Sequence, residues 1–223
     1  MPVRKLWPAS RSRTATAVGL ALALGGPPVI AAWSGTYGAA ASLGIQLALQ
    51  LLFSTLAVVV LLVVSRWEQL PLTSIGLRRP DVMTVAVAVT ILLLAYYVLP
   101  LLTTPLLRVL GLGGFERGLE ALANQPCWWR VCLALTSGPV EELLYRGYAV
   151  ERLGTLTGRL PLGGLLAATA FGLAHTPFWG LGPALAVNLP FGVLMVAAYI
   201  WRRDVFATAI AHTGLLLIGL LAV

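Results

Sequence analysis

Apolar residues run in long blocks along this chain, and polar ones gather between them. The blocks cover residues 14–33, 39–65, 82–107, 127–149, 161–178, 180–201 and 205–223. Each is close to the roughly 20 residues that a helix needs to cross the hydrocarbon of a bilayer. The pattern predicts an all-α, polytopic membrane protein with about seven transmembrane helices. Gly25, Gly26, Pro27 and Pro28 interrupt the first block, which reads as a kinked span. A signal peptide shares its basic start and short apolar core, but no clean small-residue cleavage site follows, so a retained helix is the preferred reading. Residues 66–81 form a polar connection, and 151–159 a polar loop or helix end. Over 111–126, Phe115, Leu119 and Leu122 share one face while Glu116, Arg117 and Glu120 lie away from it, which predicts a short interfacial helix.

Composition agrees. The chain has 223 residues, 59% hydrophobic and 10% charged, and a mean hydropathy of +0.90; a soluble domain carries about 25% charged residues. The net charge of +7 comes from cations spread between the blocks, without the aromatic-laced basic patch that nucleic-acid binding needs. Arg4, Lys5, Arg11, Arg13, Arg66, Arg78, Arg79, Arg152, Arg159, Arg202 and Arg203 fall on one side of the alternation; Arg108, Arg117 and Arg130 fall on the other. That bias places the amino terminus in the cytoplasm and the carboxyl terminus outside, with the bacterial inner (plasma) membrane as the expected location. Trp33, Trp67, Trp128, Trp129, Trp179 and Trp201 sit at block ends, where interfacial anchoring is expected. Cys127 and Cys132 lack a zinc spacing and read as free thiols ahead of a disulfide.

The exception to the apolar blocks is SGPVEELLYRG. A carboxylate within the membrane costs about 2.5–3.5 kcal/mol on insertion scales, so Glu141 and Glu142 call for a functional reason. Arg146 lies four residues after Glu142 and shares its face. Glu141 lies about 140° around the helix from Arg146, which leaves its carboxylate freer, with Tyr145 in position to hydrogen-bond it. The plain alternative for Glu142 and Arg146 is a structural ion pair. The two histidines, His175 and His212, both lie in apolar blocks, with Phe171 one turn before His175 to buttress its ring. A packing role is the plain reading of each ring alone. Together with Glu141 they make a set that can deprotonate water and stabilise an oxyanion, which is amide hydrolysis. No HExxH or nucleophile elbow is present. No cofactor is expected, although Glu141, His175 and His212 would also suit zinc and that route stays open. One point resists: with straight helices His175 lies about 24 Å from Arg159, whereas His212 lies about 12 Å from Asp204.

These residues resemble the CPBP family of intramembrane proteases, which includes the type II CAAX prenyl proteases and the bacterial Abi proteins. EExxxR is matched by Glu141, Glu142 and Arg146, and FxxxH by Phe171 and His175. A late His followed four residues on by Asn or Asp is half matched, by His212 and then Leu216. Tyr145 stands where the family often has Phe. The run 74–80, SIGLRRP, is similar to a segment often preceding the family's core. The resemblance is specific over 126–223 and implies a polar site enclosed by the last four spans. It also implies an intramembrane endopeptidase acting on a membrane-associated protein or peptide, with no nucleic-acid partner. Glu141 and His175 would activate water, His212 would meet the oxyanion, and Glu142 and Arg146 would organise the motif. Phe171, Tyr145 and Asn188 are candidate substrate-binding positions, Asn188 also as a replacement donor for Leu216. Residues 1–65 read as family-variable membrane helices and 66–223 as the protease core. A non-catalytic membrane protein of the same fold, an immunity factor or assembly scaffold, is the alternative that Leu216 favours. A transporter is less supported, since no inverted repeat is seen.

Overall fold

A computed structural model describes residues 12–37 and 42–222. Arg4, Lys5 and Arg11 of the charge tally, residues 39–41 of the second block and Val223 lie outside the described residues. Every element described is helical. In chain order they are α1 (Arg13–Tyr37), α2 (Leu43–Trp67), a 3₁₀ turn (Leu72–Ile75), α3 (Val82–Val109) and α4 (Glu116–Ala123). Next comes α5, built of Cys127–Glu141, a π stretch Glu142–Ala149 and Val150–Thr157. The chain continues with α6 (Leu160–Ala174), α7 (Thr176–Trp179), α8 (Leu181–Arg202) and α9 (Val205–Leu221). Among the described residues four helices are long and apolar enough to cross a membrane: Arg13–Ser34, Leu43–Trp67, Val82–Val109 and Leu181–Arg202. The protein is an all-helical integral membrane protein. Large side chains such as Leu51, Leu101 and Leu102 point outward, as a lipid-facing surface requires.

The prolines do less bending than the sequence suggests. Helix α1 runs through Pro27 and Pro28. Pro100 and Pro190 each follow a π segment, Leu94–Val98 and Ala184–Asn188. A proline removes a backbone donor and crowds the carbonyl four residues earlier; one widened turn upstream relieves both faults without breaking the helix. The 151–159 polar stretch is mostly helix. It continues α5 to Thr157, and Gly158, with φ +70°, ends it in the left-handed cap that glycine adopts without a Cβ clash.

Small residues let α5 and α6 form a close hairpin. A Cβ at Gly163 would strike the backbone of Gly154, the kind of approach by which membrane helices pack without a hydrophobic drive. Helix α9 lies along α5 and α3. Asp81 caps α3, its carboxylate accepting from the Thr84 N–H at 2.8 Å while the Thr84 hydroxyl accepts from the Asp81 N–H at 2.9 Å. That capping hydrogen bond is the main reason the Asp81 carboxyl is held below its ordinary pKa.

Four cations of the larger group in the charge tally, Arg78, Arg152, Arg202 and Arg203, are held in ion pairs. Glu68, fully buried, takes an ion pair from Arg152 at 2.7 Å and hydrogen bonds from Tyr148 at 3.0 Å and Thr16 at 2.9 Å. Glu151 meets Arg203 at 3.1 Å and Tyr199 at 3.0 Å. Asp204 accepts from Thr84 at 2.7 Å and lies 3.4 Å from Arg78. The 74–80 run is part of this layer: Ser74 accepts from Arg152, and the Gly76 carbonyl accepts from Val205 N–H at 3.1 Å. Four tryptophans, Trp33, Trp67, Trp128 and Trp201, are exposed at helix ends. Trp129 is not an anchor; it is buried and donates from its indole to Gln46 at 2.8 Å. Cys127 and Cys132 are free thiols.

Candidate active site

Glu141 closes the α-helical part of α5, and the π stretch begins at Glu142. Residues Glu142 to Ala149 are all buried. Arg146 Nη1 lies 2.9 Å from Glu142 Oε1. The approach is an ion pair, not an aligned hydrogen bond, and none of the guanidinium nitrogens finds a hydrogen-bond partner among the described residues. The cation instead lies over the Phe171 ring, 4.0 Å from its centroid, which supplies part of what water would have given. Glu142 Oε1 also accepts from His212 Nδ1 at 2.9 Å. One carboxylate oxygen therefore joins the first motif on α5 to the late histidine on α9.

His175 caps the end of α6. Its Nδ1 lies 2.7 Å from the Phe171 carbonyl. A carbonyl only accepts, so Nδ1 carries the hydrogen and Nε2 keeps its lone pair when the ring is neutral. The Phe171 ring stands 4.5 Å from the imidazole, as the FxxxH spacing suggests. Nε2 of His175 is 3.6 Å from Glu141 Oε2, and Nε2 of His212 is 3.9 Å from the same atom. Glu141 Oε2 is buried and has no hydrogen-bond partner among the described residues.

The depth conflict disappears once the two turns are seen at different levels. From Thr157 back to Glu141 is about 24 Å of helix, and from Leu160 to His175 about 22 Å. The α5–α6 hairpin thus brings the two residues level. The turn before α9 lies deeper, because Arg203 pairs with Glu151, ten residues along α5 from Glu141. His212 then needs only about 12 Å of helix to arrive.

A cavity of about 260 Å³ opens over Glu141, Tyr145, His175 and His212. Its walls extend beyond the last four spans, since Pro27 to Ser34 of α1 and Gln46, Gln50 and Phe53 of α2 also line it. Gln50 donates to Thr136 at 2.6 Å and Ser137 at 3.2 Å. The sequence did carry a signal for this wall: Gln46, Gln50 and Ser54 repeat every fourth position in an otherwise apolar block. Leu216 lines the cavity; Asn188 does not. Asn188 sits in the π segment of α8, its Nδ2 buried without a partner among the described residues. Tyr145 lines the cavity but does not bond Glu141; its hydroxyl has no partner among the described residues. The widened turn starting at Glu142 removes the α-helical register on which that expectation rested.

Two imidazoles and a carboxylate are donors that zinc accepts. As placed, however, no group of three or more His, Cys, Asp and Glu among the described residues could hold a metal ion, so no step below is routed through one.

An acid facing two imidazoles across a cavity within a helical membrane bundle defines a class: membrane proteins with a buried acid–histidine site. Residues 123–218 match the Rce1-like family model, described as type II CAAX prenyl endopeptidase Rce1-like, and over that stretch the chain is similar to this family. The matched segment runs from the end of α4 into α9 and contains Glu141, Glu142, Arg146, Phe171, His175, His212 and Leu216. No curated protein and no solved structure was found to match the chain.

Proposed function

We infer that this protein is an intramembrane endopeptidase that cleaves a membrane-associated protein or peptide by water activated between Glu141 and His175. The observation carrying this reading is the unpaired Oε2 of Glu141 facing the Nε2 atoms of His175 and His212 at 3.6 and 3.9 Å. A single water can lie within hydrogen-bond reach of atoms so spaced. Glu141 takes a proton from that water as its oxygen bonds to the scissile carbonyl carbon. The carbonyl electron pair moves to oxygen, where His212 meets it. For Nε2 of His212 to donate while Nδ1–H serves Glu142, the ring must be an imidazolium. The charges on Glu141, Glu142, Arg146 and His212 then sum to zero, which a buried site favours. Collapse of the intermediate breaks the C–N bond, and Glu141 returns the proton to the leaving amine. Phe171 holds His175 through its carbonyl and ring, while Glu142 and Arg146 hold His212. The domain division at residue 66, seven spans, a cytoplasmic amino terminus and a bacterial plasma-membrane location complete the proposal.

The test uses proteoliposomes of wild type, Glu141→Gln, His175→Ala and His212→Ala. The probes are fluorogenic peptides of three kinds: a prenylated carboxyl terminus, a leader peptide and a single-span anchor. Wild type is expected to cleave at least one, and Glu141→Gln to lose about 10²–10⁴-fold in rate. Leu216 in the cavity supports a second reading, a non-catalytic member of the fold. That reading wins if no probe is cut while biological activity survives Glu141→Gln. Inhibition by chelator, reversed by added metal, would replace the metal-free mechanism.

A further inference from the structure

We propose that Tyr145 is a catalytic residue whose phenol O–H supplies the oxyanion hydrogen bond that Leu216 cannot; this rests on the endopeptidase reading above. Tyr145, on α5, and Leu216, on α9, line the same cavity. Of the two side chains only that of Tyr145 carries a hydrogen-bond donor.

Tyr145 is 1% exposed. Its ring is held edge-on to Phe171 at 5.3 Å, the same ring that backs His175 and carries Arg146. Its hydroxyl is buried and makes no hydrogen bond among the described residues, although it lies within electrostatic reach of Glu141 and Arg146. A buried hydroxyl left unsatisfied costs about 1–3 kcal/mol. Phenylalanine would avoid that cost in the resting protein, so the hydroxyl has its use when a substrate atom is present.

Other polar groups facing the cavity are less available. Gln50 Nε2 is shared between Thr136 and Ser137. Gln46 accepts from Trp129, and Asn188 lies outside the cavity. In the reaction the new bond forms between water oxygen and carbonyl carbon, with the water proton on Glu141. The carbonyl oxygen, now bearing the electron pair, receives hydrogen bonds from Tyr145 Oη–H and His212 Nε2–H without proton transfer. When the C–N bond breaks, the pair returns to the carbonyl and the proton on Glu141 passes to nitrogen.

The test compares wild type, Tyr145→Phe, Leu216→Asn and the double variant in proteoliposomes, on whichever peptide probe wild type cleaves. Tyr145→Phe is expected to lower kcat by about 10²–10³-fold, the loss typical of one oxyanion donor. KM should stay within about twofold, since the bond is made in the transition state. The same variant should melt at least as high as wild type, which separates catalysis from folding. Adding Leu216→Asn to Tyr145→Phe should recover at least about tenfold of the lost kcat. Tyr145→Phe with wild-type kcat overturns the proposal, as does a loss appearing only in KM or a double variant no faster than Tyr145→Phe. If Glu141→Gln cleaves like wild type, the endopeptidase mechanism itself has failed. If Glu141→Gln is dead while Tyr145→Phe is fully active, only the role of Tyr145 has.

Discussion

Adjacent carboxylates at the centre of this bundle have opposite environments. Glu142 is fully buried and answers both Arg146 and His212 with one oxygen. Glu141 is partly exposed to the cavity, and its Oε2 has no hydrogen-bond partner among the described residues. Neutralising them should therefore give opposite results. Glu142→Gln strips the charge from a buried pair and should destabilise the protein by about 3–5 kcal/mol. Glu141→Gln removes a carboxylate with no ion-pair obligation of that strength and should leave the melting temperature unchanged or higher while abolishing cleavage. Thermal unfolding of both variants in the same detergent checks this. Two equally destabilised variants would mean that Glu141 is a structural charge, and the hydrolytic scheme would lose its base.

Helix geometry explains how far the site was legible in the chain. The i,i+4 relation of Phe171 with His175 holds at the end of an α-helix, and that of Glu142 with Arg146 holds inside the π stretch, where the long arginine side chain spans the widened turn. The Tyr145–Glu141 hydrogen bond did not survive, because the π stretch redirects side chains in a way that residue spacing does not encode. The depth of His175 was hidden for another reason. It depends on how far α5 runs past Ala149, and Glu151 and Arg152 look like loop charges until Glu68 and Arg203 are seen to neutralise them. The α1 and α2 walls were legible only as glutamines spaced along one face. What sets the hairpin itself is Gly163 against Gly154. Gly163→Val should push the two helices apart, cost at least about 1–3 kcal/mol as overpacking does, and lower cleavage by moving His175 from Glu141. A variant with normal melting and turnover would show that the close approach is dispensable.

At the scale of the molecule, the ion pairs outside the site gather at one end among the described residues. Glu68 with Arg152, Glu151 with Arg203 and Asp204 with Arg78 join α1, α2, α3, α5 and the turn before α9. Glu68→Gln should destabilise by about 3–5 kcal/mol, by leaving the Arg152 cation buried without its counter-charge. Stability near wild type would show that water reaches Arg152. The opposite end, around the cavity, is joined by weaker ties: Gln46 to Trp129, Gln50 to Ser137, and Arg130 to the Leu220 carbonyl at 3.0 Å. Four helices and one turn are pinned by charge at the base, whereas the top is held by packing and hydrogen bonds. Separating the helices there would break none of the ion pairs at the base, so a polypeptide segment entering from the top would leave intact the grip that keeps acid and imidazoles in register.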